Sequence, residues 1–577
     1  VKLKGDKEFE NILSTKDKAL RINLNENIYG TFSEIGAGQE VARHFFRAGG
    51  ASGTIAKTMS AYDKGFSDAI YGIENDLRYV TESRLTKMLN HEISLLESRV
   101  DRAVHTDKMF FSFANTVATI DFAKKYKGHG WMGIKFQTES TSEYSEIKLH
   151  VRFHLPEAKA QQEILGLMGV NLIYGAYYKH NKPRSLIKYL YDHIDPTIIE
   201  IDTINFSGPL FKDVDNRLLS LELIKNGMTQ AVMFGPDGKN ILPAAELYKK
   251  NILTIRGSFR PVTKVNEDMY EKSLKMIKKD KKFTDKNTIS IFEITLSNLT
   301  SQGKLDEQDF LDRAKLLCSM GKTVMITNFQ EYYKLSEYFS KYTNKKVFLT
   351  MGVDNLIKVF DESYYTNLDG GILEAFSKLF TKNITILLYP MLQKNKIINS
   401  LNLVVSGGMK NLYKYFIKNH RILDISDYNR TYLSIFSWDV LKKIQSNQRG
   451  WESSLPENVL KGPLHREAWE ALCPVDQYGD ERDVEDVLTE PSYDDLFASV
   501  RAQCYAYLVP KLETFRDAPK FEYVARRFLN LTPIDDPDPI SHVDDALSAL
   551  QAHGDALPSD DESSCDSEEE SCSESYS

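Results

Sequence analysis

The sequence predicts an α/β protein built on a mostly parallel sheet, and two observations carry that reading. Short β-branched, apolar runs at 171–178, 198–204, 229–234, 251–255, 288–294, 322–327, 346–350 and 383–388 alternate with amphipathic helical stretches. Several of these runs break abruptly into small, polar or charged residues: Gly235-Pro236-Asp237-Gly238, Arg256-Gly257-Ser258-Phe259-Arg260, Thr327-Asn328 and Gly352-Val353-Asp354-Asn355. Parallel strands need helical crossovers, and their carboxyl ends open onto a shared crevice where ligands bind. A (β/α)-barrel and a doubly wound sheet both satisfy the alternation.

Taken in order, residues 1–130 read as a mainly helical region with a glycine-rich loop, and residues 131–455 as the α/β domain. The latter opens with two strands, 131–137 and 146–154, joined by the polar loop 138–145 as a hairpin. Its helices are well marked. Phe310, Leu311, Ala314, Leu317 and Cys318 form one apolar stripe, with Asp306 at the N-cap position and Gly321 placed to close the end. Tyr332, Leu335, Phe339 and Tyr342 form the next. On this reading Cys318 is a small core hydrophobe and not a nucleophile. An acidic helical extension is expected at 456–553, followed by a disordered Ser-, Asp- and Glu-rich tail at 554–577.

Charge divides the chain sharply. Residues 451–577 hold 9 Lys and Arg against 30 Asp and Glu, whereas residues 1–450 hold 64 against 51. The first balance suits a solubilising or partner-recruiting arm; the second is compatible with anionic metabolites, but it is spread over many helix faces and is better explained by solvated helix surfaces. No run approaches the roughly 18 apolar residues of a membrane span. The five cysteines contain no C-x-x-C pair, which argues against a disulfide framework or a structural zinc site. The first residues lack the apolar core of a signal peptide, so a cytoplasmic location is expected. The expected ligand is an anionic small molecule of the nucleotide kind. No membrane, specific nucleic acid or metal is expected, and no particular cofactor can be named.

Four segments carry candidate chemistry. Arg256, Ser258 and Arg260 follow a strand and combine guanidinium forks, a hydroxyl and free backbone N–H groups, which suits a phosphate or carboxylate. Asp237 and Lys239 follow another strand, and Asn328 and Asp354 stand after two more, so all are expected to face one crevice. Along 148–154, strand periodicity puts His150, Arg152 and His154 on one face, read as a solvent-facing sheet surface with acid–base work as the alternative. Gly36 and Gly38 precede a helix-like stretch and resemble a nucleotide-binding glycine loop, in which the lack of Cβ lets the backbone approach phosphate.

With these residues laid out, the first 455 resemble an uncharacterised bacterial family of cytosolic proteins. The resemblance rests on residues 34–46, 171–176, 232–238 and 257–263. Members are often labelled nicotinate-nucleotide adenylyltransferase and sometimes TonB-dependent receptor. The first label implies a [His/Thr]-x-Gly-His loop between strand and helix, whose nearest match is Tyr126-Lys127-Gly128-His129, with His129 as the catalytic residue. The second implies a signal peptide and an outer-membrane barrel, and neither is visible in the sequence. Residues 289–294 and 324–328 with their helices also resemble the first two motifs of haloacid-dehalogenase-like phosphatases. There Glu293-Ile294-Thr295 stands in place of the nucleophilic Asp-x-Asp.

Overall fold

A computed structural model describes residues 12–460 apart from 76, 125–126, 301–304, 406 and 447. Residues 461–577, with the tail and nearly all of the expected acidic extension, lie outside the described residues. The described residues build two large sheets and a separate two-stranded hairpin. The first contains β1 (Ile28–Ile35), β2 (Ile55–Met59), β3 (Met109–Ala118), β4 (His129–Phe136), β5 (Ser145–Phe153) and β6 (Ile199–Ser207), in the order β2-β1-β3-β4-β5-β6. β1 runs parallel to β2 and β3, and the remaining pairs are antiparallel. One face packs Phe32, Phe113, Ile134, Leu149 and Ile201 against helices Glu40–Ala48 and Ala158–Tyr178. The other face is more polar and lies under helix Glu82–Arg99.

The second sheet contains β7 (Ala231–Phe234), β8 (Asn240–Ile241), β9 (Asn251–Arg256), β10 (Thr288–Thr295), β11 (Thr323–Thr327), β12 (Val347–Gly352), β13 (Ile384–Tyr389) and, after the small hairpin of β14 (Met391–Gln393) and β15 (Lys396–Ile398), β16 (Ile422–Asp424). Their order is β16-β13-β12-β9-β10-β11-β7-β8. The six parallel strands thus follow the doubly wound order 3-2-1-4-5-6, with β9 first, and the antiparallel pair β7–β8 extends one edge. Successive residues along each strand enter opposite cores. Leu253, Phe292 and Phe348 meet helices Lys264–Lys278 and Glu307–Ser319, while Ile252, Ile291 and Val347 meet helices Tyr332–Ser340 and Gly371–Leu379. Burial on both faces explains why these strands read as continuous apolar runs. The sheet is open and doubly wound.

The helical landmarks match the sequence. Asp306 accepts hydrogen bonds from the Gln308 and Asp309 N–H groups at the start of Glu307–Ser319, and Gly321 takes φ 72° just past its end. Cys318 is buried, and burial pushes its thiol up to about 11. Three expectations need correction. The run 171–178 is no strand but the end of helix Ala158–Tyr178, where Val170, Leu172, Ile173 and Ala176 are all buried. A short apolar run on a fully enclosed helix has no periodicity that separates it from a strand. Residues 28–35, expected in a helical region, form the parallel strand at the heart of the first sheet. Ser33 and Glu34 are buried there through hydrogen bonds, which masks the apolar signature. The boundary expected at 130 therefore falls inside β4, which pairs with β3 and β5 in one sheet.

Candidate functional site

The crevice expected at the carboxyl ends of the second sheet is occupied by the protein's own side chains. Arg256 closes β9 and grips Glu293 of β10 through two hydrogen bonds, Nε to Oε2 at 2.9 Å and Nη2 to Oε1 at 2.8 Å. Its Nη1 donates to the Gln330 carbonyl, and its guanidinium lies over the Tyr332 ring. Thr327 Oγ1 also donates to Glu293, at 2.8 Å. Arg260 pairs with Asp309 at 2.9 Å, and the same carboxylate holds Arg313. Arg313 also donates to the Ser258 carbonyl. Phe259 is buried against Phe292. Both guanidiniums expected to cradle an anion are thus committed to buried carboxylates, and Glu293 is the partner of an arginine.

Asn328 and Asp354 do stand at this carboxyl end, both exposed. Asp237 and Lys239 do not. β7 is antiparallel, with Phe234 opposite Val324 at the start of β11, so their loop lies at the opposite end of the sheet and is solvent-exposed. The glycine loop is also closed from within. Gly36 takes φ +94° because it passes so near β3 that a Cβ would lie 1.8 Å from the Val117 carbonyl oxygen. Gly38 also has positive φ. The helix start that would receive a phosphate instead receives the Glu34 carboxylate, which accepts from Val41 N at 3.2 Å and Ala42 N at 2.9 Å, and from Asn115 Nδ2 at 3.0 Å.

Glu34 is fully buried, and burial pushes its carboxyl up to about 7 despite those three donors. Because the folded value is raised, the native state holds a proton that the unfolded state releases near its ordinary value of 4.5. The associated stability is present below that value and is lost as pH rises through 7. Urea unfolding of wild type should therefore lose about 3 kcal/mol between pH 4.5 and 8 relative to Glu34→Gln, in which this group does not titrate. Parallel pH profiles of the two proteins would contradict that assignment.

The strongest chemical arrangement lies on the polar face of the first sheet. β4 and β5 place Trp131 opposite His150 and His129 opposite Arg152, while β6 brings Glu200 opposite Arg152. A bulge between His150 and Val151 shifts the β5–β6 register and brings Asp202 beside His150. His150 Nδ1 lies 2.6 Å from Asp202 Oδ1, and His150 Nε2 lies 3.1 Å from His129 Nδ1. His150 is 0% and Asp202 2% exposed, whereas His129 is only partly buried. Arg152 Nη2 donates to Asp202 Oδ2 at 3.3 Å, and its guanidinium faces the Tyr342 ring of the second sheet's domain. Glu200 accepts from Thr229 Oγ1 and faces His154 at 3.5 Å.

The proton positions follow from the acceptors. A carboxylate can only accept, so His150 donates through Nδ1 and presents the lone pair of Nε2. His129 must then donate through Nδ1, which leaves its own Nε2 as a free base on the more exposed side. Burial, followed by the neighbouring His150 and Arg152, holds the His129 pKa down to about 4, so its ring is neutral at pH 7. A proton taken up at His129 Nε2 can be matched by transfer of the Nδ1 proton to His150, leaving the positive charge beside Asp202. Lys127 and Lys341 bring positive charge to the same neighbourhood: burial first, and then Lys127 and Arg152 against the opposing Glu200, lower the pKa of Lys341.

Sequence reasoning found His129 and the His150–Arg152–His154 face, but expected that face in solvent. It missed Asp202 and Glu200. The strand context also differs from the adenylyltransferase loop: His129 opens an antiparallel strand and does not join a strand to a helix. Among the described residues no group of three or more His, Cys, Asp or Glu side chains is placed to hold a metal ion, and no helix is long and apolar enough to cross a membrane.

A scan against protein-family models finds no match, and a search of curated proteins finds none either. Solved structures that resemble parts of the chain include a competence-damaged protein (CinA) superfamily member from Klebsiella pneumoniae, with 10% identity and a TM-score of 0.21 over 28% of this chain and 96% of that one. A competence/damage inducible protein from Agrobacterium tumefaciens shows 13% identity and a TM-score of 0.20 over 28% and 93%. A CinA superfamily protein from Escherichia coli shows 13% and 0.20 over 30% and 92%. Likenesses of this size carry no argument about fold or activity.

Proposed function

We propose that the protein binds a phosphate-bearing metabolite of the nucleotide class beside His129 and carries out proton-coupled transfer chemistry there. The observation that supports this most is the Asp202–His150–His129 chain, which ends in an unprotonated ring nitrogen at the partly exposed position. In a phosphoryl or nucleotidyl transfer, the attacking hydroxyl would bond to phosphorus as the bond to the leaving phosphate or pyrophosphate breaks, with His129 Nε2 taking the hydroxyl proton and passing its Nδ1 proton to His150. Lys127 and Lys341 supply the cations that a phosphate needs nearby. The label carried by the resembling family makes nicotinate mononucleotide and other NAD precursors the first compounds to try.

A non-catalytic scaffold with an acidic recruiting arm is the second reading. It is favoured by the engagement of Arg256 and Arg260 with internal carboxylates, which leaves the expected crevice filled. Thermal-shift measurements on the full chain with ATP, NAD, nicotinate mononucleotide and nicotinamide mononucleotide separate the two. The enzyme reading predicts that at least one raises Tm by several degrees at saturating concentration, and that Lys341→Ala reduces this rise. A flat response to all four compounds would favour the scaffold.

A further inference from the structure

The end of the second sheet opposite the expected crevice carries an unusual charge pattern. A Lys or Arg stands within the four residues preceding every one of its six parallel strands, including Lys250, Lys286, Lys322, Lys346, Lys382 and Arg421. Asp285 is the single acidic residue in those positions, and it is paired with Lys278 at 2.5 Å. Side chains knit the row to neighbouring backbone carbonyls: Lys250 Nζ donates to the Lys286 carbonyl, Lys346 Nζ to the Lys382 carbonyl, and Arg421 Nη1 to the Thr381 carbonyl. Neighbouring parallel strands lie about 4.8 Å apart, so six of them set out a nearly linear row of cations about 24 Å long. The crowding is electrostatically felt. Partial burial first, then Arg421 and Lys282, lower the pKa of Lys346.

The row also has an aromatic neighbour. Tyr248, in the turn that leads into β9, is 47% exposed. The Lys249 ammonium lies 4.8 Å from its ring centroid and the Arg78 guanidinium 5.7 Å. At one end of the row Lys322 is partly buried over the Tyr270 ring, with Glu267 and Glu271 of helix Lys264–Lys278 nearby, so the run of one sign is the stretch from Arg421 to Lys286. A row of one sign, regular in spacing and flanked by an exposed ring, has the features of a surface that tracks a phosphodiester chain and stacks a base.

We propose that this amino edge of the second sheet binds single-stranded nucleic acid through its backbone, without reading its sequence. The surface adjoins the His129 chain, since Lys249 N donates to the Tyr342 carbonyl and the Tyr342 ring faces Arg152, but binding on it does not depend on a reaction at His129. Binding would rest on phosphate contacts from the lysine row, with Tyr248 as a stacking platform for one base.

The test is fluorescence anisotropy of the full chain with labelled 20-residue oligo(U) and oligo(dT). About four phosphate contacts predict that Kd rises roughly 20-fold between 50 and 150 mM salt, from a slope of about −0.7 per contact. Charge reversal at three exposed positions of the row, Lys286→Glu, Lys345→Glu (two residues before β12) and Lys382→Glu together, should weaken binding at least tenfold. Tyr248→Ala should weaken it several-fold with little change in the salt slope. The reversal Lys159→Glu, on a helix of the first sheet, should leave it unchanged. Circular dichroism and Tm check that each variant is folded. No anisotropy change at 50 mM salt would overturn the proposal, and so would equal affinity of the triple variant. Equal competition by polyglutamate of matched charge, with no effect of Tyr248→Ala, would assign the surface to an acidic protein and overturn the nucleic-acid reading.

Discussion

Arg256→Ala is expected to destabilise the protein by about 3–5 kcal/mol, the range for removing one member of a buried ion pair. Glu293 is 0% exposed, and Arg256 supplies two of its hydrogen bonds. Without the guanidinium the carboxylate keeps Thr327, but among the described residues no other cation pairs with it. The cost comes mainly from the stranded charge, so replacing both partners by apolar residues, Arg256→Met with Glu293→Leu, should recover most of it. Lys239→Ala, at an exposed turn, should stay within about 0.5 kcal/mol of wild type. Urea unfolding of the four proteins checks this. A loss below about 1 kcal/mol for Arg256→Ala would mean that the arginine is free to serve a ligand after all.

Asp202→Asn is expected to have a comparable effect on stability and a larger one on chemistry. The carboxylate is buried between His150 and Arg152, and both donate to it. Burial works against its charge, yet those two partners hold its pKa below the usual carboxylate value. An amide of the same shape leaves Arg152 without its nearest counter-charge, which predicts a loss of about 3 kcal/mol in urea unfolding. The amide can also turn its NH2 toward His150, which reverses the ring's proton and breaks the chain to His129. His129→Ala removes a partly exposed ring without stranding a charge, and should cost about 1 kcal/mol. Equal losses from the two substitutions would deny Asp202 its central place.

How much of this was legible in the sequence depended on what each residue faces. The second sheet could be read because its strands are buried on both sides, so that Ile252, Leu253, Val347 and Phe348 carry the signal unaided. Strand order could not be read, since every βα unit looks alike from within. The first sheet was harder. Its central strand holds Ser33 and Glu34 inside the core, where hydrogen bonds to Tyr71 and to the helix start replace the apolar residues that announce a strand.

The candidate site was half visible. The alternation His150, Arg152, His154 gave one strand of it. Its complement, Glu200 and Asp202 alternating with Ile199 and Ile201, was present in a stretch already read as a strand. Two facing strands with opposite charge on their polar sides signal a buried pair, but only once β5 and β6 are known to be neighbours. The arginine loop misled because its residue types suit a phosphate as well as they suit Glu293 and Asp309, which lie 37 and 49 residues further along the chain.

The proton arrangement of the two imidazoles tests the central claim most directly. Long-range ¹H–¹⁵N correlation spectra of the full chain, labelled at histidine and assigned with His129→Ala and His150→Ala, report which ring nitrogen carries a proton as pH is lowered from 8 to 5. The Asp202–His150–His129 chain predicts that both rings carry their proton on Nδ1 at pH 8. Lowering the pH to 5 should leave the His129 ring neutral, because burial and its cationic neighbours hold its pKa down to about 4. A His129 that is protonated on Nε2 at pH 8, or that becomes an imidazolium near the ordinary value of about 6.5, would contradict it.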